Sequence, residues 1–582
     1  MNPRAAYGMT GFHHFVVGAA VVGATCIVAA PARGQESVPK TEVAPFHHNL
    51  HAAPAAAPSA YDEGTPPLFD NLGRHSWKVT TQKPEAQAYF DQGLRLAYGF
   101  NHAEARRAFR QAQRIDPSCA MCFWGEALVL GPNINVPMDP AANAPALAAL
   151  AQAQALAGAA NDEEKALIAA LATRYSADPS VDRAMLDKAW ADAVGEVARR
   201  FPDDIELAVF HAEAMMDTQP WDYWEDSGRR GKGHTDEIVA ELERAMAKNP
   251  DHPGAIHLYI HTVEASDRPE RAQAGADRLA ALIPGAGHIV HMPSHIYYRV
   301  GRYLDALDAN KAAVAVDESY IAAIAPTGPY PLAYYPHNVH FLLAAAQLAG
   351  DSKTALEAAA KLRSIVPAEA AVAVPMVQPD MAAPYWASAM FGQPDAVLAL
   401  PVPENAPTYV KAMRHYARGV ALVEQGRFAD VPGEIAALQS LSGAEDLAKA
   451  AAAGIPGPEV LTIAQEVLGG RMAMAKGDPA GAIPFFERAA QTQEALAYME
   501  PPYWYYPVRQ SLGAALLLAG RPDEARQAFE AALKRSPNSG WALFGLKEAA
   551  KARGDKAAEE DAEAKLAKVW TGDRSGLDLK RL

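Results

Sequence analysis

The sequence predicts an all-α protein in which helical hairpins repeat along the chain. Of its 582 residues 50% are hydrophobic, and alanine supplies much of that fraction. Alanine has the highest helix propensity, and its small side chain lets helices pack closely. A chain of this length exceeds one ordinary core, so we expect several domains or one elongated array. A set of small residues followed by a proline recurs along the chain, and this recurrence indicates the array.

The recurring set is clearest near the two ends of the chain. It comprises Gly93, Leu94, Tyr98, Ala105, Phe109, Ala112 and Pro117 in one segment and Leu512, Gly513, Leu517, Gly520, Ala525, Phe529, Ala532 and Pro537 in the other. The spacing of about 34 residues resembles the tetratricopeptide repeat, a helix–turn–helix unit that stacks into a superhelix, or α-solenoid. The resemblance is strong over 87–125 and 508–550, moderate over 254–365, and weaker over 413–445 and 465–491.

Composition divides the chain into five segments. They are a signal peptide (1–32), a disordered linker rich in proline and alanine (33–67), an N-terminal repeat array (68–400), a C-terminal repeat array (401–570) and a tail (571–582). Arg4 precedes an apolar stretch, and Ala30-Pro31-Ala32 then forms a small-x-small cleavage site. The alternative is a short membrane anchor. We therefore expect a periplasmic or secreted protein with no stable membrane span after signal cleavage.

The net charge and the cysteines limit the function further. A net charge of −15 argues against nucleic acid as a partner, because phosphate binding needs a basic surface. After signal cleavage the chain keeps Cys119 and Cys122, spaced i, i+3 at a predicted helix start. In an oxidising compartment this pair fits a disulfide, a soft-metal site shared with histidines, or a redox pair. Both cysteines are therefore candidate metal ligands.

A histidine cluster is the strongest sign of chemistry. It comprises His252, His257, His261, His288, His291, His295, His337 and His340, out of 18 histidines in the chain. His257 and His261 are four residues apart and Glu264 is three further on, so the three share a helical face. Two imidazoles and a carboxylate can bind one ion, or Glu264 can serve as a catalytic base.

The resemblance implies where these histidines lie. In tetratricopeptide arrays the first helix of each pair lines the concave surface. We expect first helices at about 254–266, 293–300 and 337–349, with His288 and His291 in the loop before Pro293. The cluster apart from His252 is then a metal site on the concave surface. Imidazole ligands suit copper, zinc and iron, and the nearby Met292 favours copper slightly.

Aromatic and proline-rich loops form a third group of candidate residues. Trp221, Tyr335, Tyr503, Trp504 and Arg509 are candidates for a ligand-binding floor at the mouth of the groove. The alternative is packing between repeats, which aromatic side chains serve in such arrays.

Three functions are compatible with the sequence. The leading interpretation is an exported binding protein of tetratricopeptide type with a metal site, whose groove takes a peptide, a protein or a small molecule. The alternatives are a metal-dependent enzyme with oxidative or hydrolytic chemistry, and a metal-free peptide-binding scaffold.

Overall fold

The computed structural model describes residues 64–582 and confirms the all-α prediction. Its regular structure is helical apart from a two-stranded antiparallel sheet within the described residues, which pairs Trp224–Glu225 with Arg230–Gly231. The predicted signal peptide and the linker as far as residue 63 lie outside the described residues. The last linker residues contact the first helix, because Tyr89 and Gln92 donate hydrogen bonds to the carbonyls of Pro66 and Pro67.

The helices follow one another with short connections. In the first half they are α1 (Pro84–Tyr98), α2 (His102–Ile115), α3 (Ala120–Val129), α4 (Asn143–Leu156), α5 (Asp162–Leu171), α6 (Arg183–Arg200), α7 (Ile205–Asp217), α8 (Thr235–Lys248), α9 (Pro253–Val263), α10 (Gln273–Leu282), α11 (Gly287–His291), α12 (Pro293–Arg299) and α13 (Tyr303–Ile324).

In the second half they are α14 (Tyr335–Ala349), α15 (Ser352–Ile365), α16 (Ala368–Ala373), α17 (Gln378–Phe391), α18 (Pro394–Leu398), α19 (Thr408–Glu424), α20 (Val431–Leu441), α21 (Glu445–Ala452), α22 (Gly457–Ala475), α23 (Pro479–Ala495), α24 (Arg509–Leu518), α25 (Pro522–Arg535), α26 (Gly540–Ala552) and α27 (Lys556–Val569).

The recurring glycines mark the places where helices approach an aromatic ring. Phe109 on α2 lies between Gly93 and Gly125, and a Cβ added at either glycine would stand 2.7 Å or 2.5 Å from the ring. Phe529 on α25 lies in the same way against Gly513 and Gly545. The repeated set found in the sequence is therefore a repeated packing unit in which one phenylalanine fills the gap left by two glycines.

Contacts between distant segments close the array. The Tyr498 hydroxyl donates to Glu264 Oε2 at 2.8 Å, and the Trp541 indole donates to the Gln347 carbonyl at 2.8 Å. In an open solenoid each repeat contacts only its neighbours. Here segments near residues 498 and 541 lie against helices some 200 positions earlier. The helices that carry the histidines are therefore covered, and the predicted concave surface is an interior.

Two further expectations about organisation can be placed on the structure. The predicted boundary between two arrays at 400/401 falls in the stretch between α18 and α19, and the division itself stays a prediction. Across residues 64–582, we find no helix with the length and apolarity that crossing a bilayer requires.

The phenylalanine–glycine packing predicts a difference between two glycine substitutions. Gly125→Ala should lower the free energy of unfolding by ~1–3 kcal/mol, because the new methyl group overpacks Phe109. Gly158→Ala is the control, since a Cβ there meets no atom within 4 Å. Urea denaturation followed by circular dichroism measures both, and equal stability of the two variants would contradict the packing unit.

Candidate metal centre

The structure brings together six of the predicted histidine ligands. α9 carries His257 and His261, α11 carries His288 and His291, α12 carries His295, and α14 carries His337. The expected first helices at 254–266, 293–300 and 337–349 correspond to α9, α12 and α14. His288 and His291 were expected in a loop, but they lie in the short helix α11, which ends just before Pro293. The loop prediction is therefore wrong, although the proline does separate α11 from α12.

The six rings form two adjoining groups. We call His257, His261 and His288 the 257 set, and His291, His295 and His337 the 291 set. In each set one nitrogen from every ring lies within 4.8 Å of the others. The sets touch, because the ring centroids of His261 and His295 are 5.4 Å apart. All six rings are buried except that of His337, which is half-buried.

The hydrogen bonds of the 291 set fix which nitrogen carries the proton. Asn310 donates its amide nitrogen to the Ala306 carbonyl, so its Oδ1 is the atom that faces His291 Nδ1, at 2.7 Å. His291 Nδ1 must then be the N–H donor. His295 Nδ1 lies 2.6 Å from Glu264 Oε2 and donates to it. The Nε2 atoms of both rings are left with lone pairs, and these atoms are 2.8 Å apart.

The third ring completes this set. His337 Nε2 lies 3.5 Å from His295 Nε2. Imidazole nitrogens from α11, α12 and α14 therefore lie close enough together to bind one ion.

The 257 set has the same arrangement of donors. His257 Nδ1 donates to the Tyr98 carbonyl at 2.6 Å, and His261 Nδ1 donates to Glu264 Oε1 at 2.8 Å. Their Nε2 atoms carry lone pairs. Among residues 64–582, these two atoms and both ring nitrogens of His288 have no hydrogen-bond partner. Buried polar atoms without a partner are uncommon in folded proteins and call for an explanation.

Glu264 joins the two sets. It follows α9 directly and is fully buried, and its two oxygens accept from His261 and His295 respectively. Oε2 also accepts from the Tyr498 hydroxyl. In metal sites a carboxylate commonly accepts the N–H of a ligand imidazole in this way and so fixes the orientation of the ring. With both oxygens so engaged, the geometry suits a positioning residue better than the predicted catalytic base.

The electrostatics keep the rings neutral. Burial lowers the pKa of His257, His261 and His295 to about 3. Burial and the neighbouring imidazoles also hold the pKa values of His288, His291 and His337 well below the ordinary value. Neutral imidazole is the form that binds metal ions.

Several residues that sequence reasoning missed surround the centre. The Phe100 ring lies 4.5 Å from the His257 ring and stacks on His261 and His288. Tyr498 and Glu500 reach the centre from the segment after α23, and Glu500 Oε2 lies 4.0 Å from His295 Nδ1. Phe100 has a positive φ of 55°, a conformation that is strained for a residue other than glycine. Tyr498 and Glu500 could not be found from residue spacing, because Glu264 and His295, which they contact or approach, lie more than 200 residues earlier.

The remaining predicted metal ligands lie apart from the two sets. His340 Nδ1 lies 2.8 Å from Asp380 Oδ1, so its ring belongs to a separate buried pair. Cys119 and Cys122 form a disulfide. Sulfur atoms bonded to each other offer no thiolate, so the structure favours the disulfide alternative over metal ligation.

Most side chains of the predicted ligand-binding floor make contacts within the protein. Tyr503 and Trp504 are buried, and the Trp504 ring lies 4.9 Å from that of Tyr416. The Tyr335 hydroxyl donates to Glu318, and Arg509 pairs with Glu494 at the surface. The side chains of these four residues are engaged within the fold, and a ligand site formed by them stays a prediction.

Trp221 alone among the five candidates reaches the centre. Its ring lies 5.1 Å from that of His261, and its indole donates to Asn135. Trp221 also has a positive φ of 63°, as Phe100 does. Two residues with left-handed backbone therefore pack on the 257 set.

A second polar cluster lies near α1 and α7. Glu206 Oε1 lies 2.7 Å from His75 Nε2 and 3.1 Å from His252 Nε2, and Tyr98 donates to the other oxygen. His252 Nδ1 accepts from the Ala255 amide at the start of α9. Both ring nitrogens of His252 therefore have protein partners, whereas His75 Nε2 lies beside the carboxylate without hydrogen-bond geometry.

Comparisons with known proteins bear on the fold. Residues 507–549 match the tetratricopeptide repeat family, which confirms the resemblance for that segment. No curated protein matches the chain.

Solved structures resemble the chain only distantly. A human IFIT1 dimer with PPP-AAAA has a TM-score of 0.31 and 11% identity, covering 84% of this chain and 91% of that chain. Yeast Tom70 has a TM-score of 0.25 and 10% identity, covering 85% of this chain and 94% of that chain. Such similarities carry no conclusion about function. The PPP-AAAA in that structure is a feature of IFIT1 and not of this chain. The expectation that this chain does not bind nucleic acid stays a prediction.

The Glu206 cluster predicts a specific acid sensitivity. Burial disfavours ionisation of Glu206, but His252 and His75 outweigh it and lower its pKa well below the ordinary value. A lowered carboxyl pKa stabilises the fold above the unfolded pKa, and this stabilisation is lost as the pH falls through the folded pKa. Glu206→Gln should therefore reduce stability at pH 7 by ~3–5 kcal/mol, and stability should then depend less on pH between 5 and 2.

Urea denaturation across that pH range measures both effects. Glu237→Gln is the control, since Glu237 is exposed. A pH dependence unchanged by Glu206→Gln would show that other groups set the acid stability.

Proposed function

We propose that this chain is a helical-repeat binding protein that holds a transition metal ion at the 291 set in its interior. The observation that carries the proposal is the 2.8 Å separation of His291 Nε2 and His295 Nε2, with Asn310 and Glu264 holding the proton of each ring on the opposite nitrogen. Two lone pairs at this distance repel each other unless a positive charge lies between them.

A metal ion supplies that charge better than a proton does. Protonation is disfavoured, because burial keeps the pKa of His295 at about 3 and that of His291 well below its ordinary value. A tetrahedral ion with metal–nitrogen bonds of 2.0–2.1 Å would separate its ligand nitrogens by about 3.3 Å. The separations of 2.8 and 3.5 Å within the 291 set lie close to this value.

The ligand types limit the choice of metal but do not identify one element. Three neutral imidazoles suit copper, zinc or iron, whereas calcium and magnesium prefer oxygen ligands. The tetratricopeptide repeat at 507–549 supports a role as a binding scaffold. A peptide or protein partner would then bind on the outside of the array, because the histidines lie in its interior.

Substitution of the 291 set should remove the metal. We expect the purified full chain to contain a transition metal, and the double variant His291→Ala/His295→Ala to have lost the ion of the 291 set. The measurement is plasma mass spectrometry of protein purified without an affinity tag. His234→Ala is the control, because His234 is exposed and lies far along the chain from the 291 set.

Circular dichroism of each variant separates loss of metal from loss of fold. A wild-type protein that stays free of metal after incubation with copper, zinc and iron in turn would refute the proposed function. It would leave the alternative of a metal-free scaffold whose histidines serve only packing.

Export is the second part of the proposed function. The apolar stretch after Arg4 and the Ala30-Pro31-Ala32 motif support cleavage after residue 32. Expressed with its native N-terminus in a Gram-negative host, the protein should appear in the periplasmic fraction or the medium with a mass that lacks residues 1–32. Intact mass spectrometry checks this, and a full-length cytoplasmic product would contradict export.

A further inference from the structure

We propose that a second metal ion binds the 257 set, so that the interior of the protein holds a pair of copper(I) ions. This inference rests on the proposed function, because the first ion occupies the adjoining 291 set.

Four nitrogen atoms without partners point to the second ion. They are the Nε2 atoms of His257 and His261 and both ring nitrogens of His288, and the rings of all three residues are at most 1% exposed. Leaving a buried polar atom without a hydrogen bond costs about 1–3 kcal/mol. One ion bound by three imidazoles would satisfy three of these atoms at once.

The rings of the 257 set are already held in position. The Tyr98 carbonyl and Glu264 fix the proton of His257 and His261 on Nδ1, which turns the lone pair of each Nε2 inward. Phe100 packs against all three rings, and Trp221 packs against that of His261. A site whose ligands are oriented before binding loses little conformational entropy when the ion enters.

His252, in the Glu206 cluster, shows how a buried ring with a protein partner for each nitrogen is held in this chain. There the ring nitrogens of His252 face the Ala255 amide and a carboxylate oxygen. In the 257 set, by contrast, one nitrogen of each ring lies within 4.8 Å of a nitrogen of the other two, and His288 has no partner for either ring nitrogen among the described residues. Protein atoms thus satisfy both nitrogens of His252, whereas four ring nitrogens of the 257 set have no partner among residues 64–582.

The two ions would lie close together. The ring of His288 is 5.8 Å from that of His291, and the ring of His261 is 5.4 Å from that of His295. Glu264 contacts one ring of each set through separate oxygens. An ion in one set is therefore linked to an ion in the other through a single carboxylate.

The charge balance favours monovalent ions. The six imidazoles are neutral ligands, and the two nearby carboxylates are Glu264, in contact with both sets, and Glu500, whose Oε2 lies 4.0 Å from His295 Nδ1. Uncompensated charge is costly in a buried site, and two divalent ions bring in twice the positive charge of two monovalent ions, so they leave the larger uncompensated charge. Among the metals that imidazole suits, copper is the one with a common monovalent state.

The test is a copper titration of the intact mature chain. The metal-free protein is loaded with copper(I) without oxygen, in competition with a copper(I) chelator, and the bound copper is counted after gel filtration. We expect two equivalents in the wild type and one in His288→Ala. His288 is the preferred position because neither ring nitrogen has a hydrogen-bond partner among residues 64–582, so its removal disturbs the fold least. His257→Ala should give the same count, and His234→Ala should keep two.

A second readout tests whether the ions are neighbours. After oxidation with ferricyanide, the wild type should give a dipolar-broadened copper(II) resonance spectrum with a half-field transition. His288→Ala should give the narrow spectrum of an isolated ion.

The outcomes distinguish the two proposals. One equivalent in the wild type that persists in His288→Ala would overturn the second ion and leave the proposed function intact. No copper in the wild type and no zinc or iron would overturn both. Two equivalents with a narrow spectrum would overturn the pair, since the ions would then be far apart.

Discussion

The shared carboxylate of Glu264 is the interaction on which the centre depends. One side chain fixes the protonated nitrogen of His261 through one oxygen and that of His295 through the other, and so determines the direction of a lone pair in each set. It also accepts from Tyr498, which brings the segment after α23 onto the histidine helices. Without this carboxylate the two rings could adopt either tautomer, and the closure of the array would lose a buried hydrogen bond.

The closure changes how a tetratricopeptide-like array can be used. In an open array the concave surface is exposed along its length and suits an extended ligand. Here Trp541 donates a hydrogen bond to the Gln347 carbonyl, and the helices that carry the histidines lie in the interior. The dry surroundings strengthen electrostatic interactions and keep the imidazoles neutral. The concave surface of the repeat architecture is thus enclosed, and the enclosed histidines are the proposed site of a small cation.

Much of the local structure could be predicted from the sequence, but the closure could not. Helix periodicity and breakers located α9, α12 and α14, because these signals act within a few residues. The spacing of His257 and His261 placed both on one helical face for the same reason. Tyr498 and Phe100 were not predicted, because they contact the centre from segments that are far from it in the sequence. Trp504 and Arg509 were assigned to a ligand site because aromatic loops look alike in sequence whether they line a groove or fill a core.

The order in which the segments of the closed array are made has a consequence for metal selection. All six ligands lie between residues 257 and 337, whereas Tyr498 and Trp541, which help to cover them, come much later in the chain. A chain that folds from its N-terminus exposes the assembled ligands until the C-terminal helices dock. Affinity alone favours copper over the other divalent metals at most nitrogen sites. The supply of metal where folding is completed, as well as affinity, would then decide which ion the proposed ligands bind first.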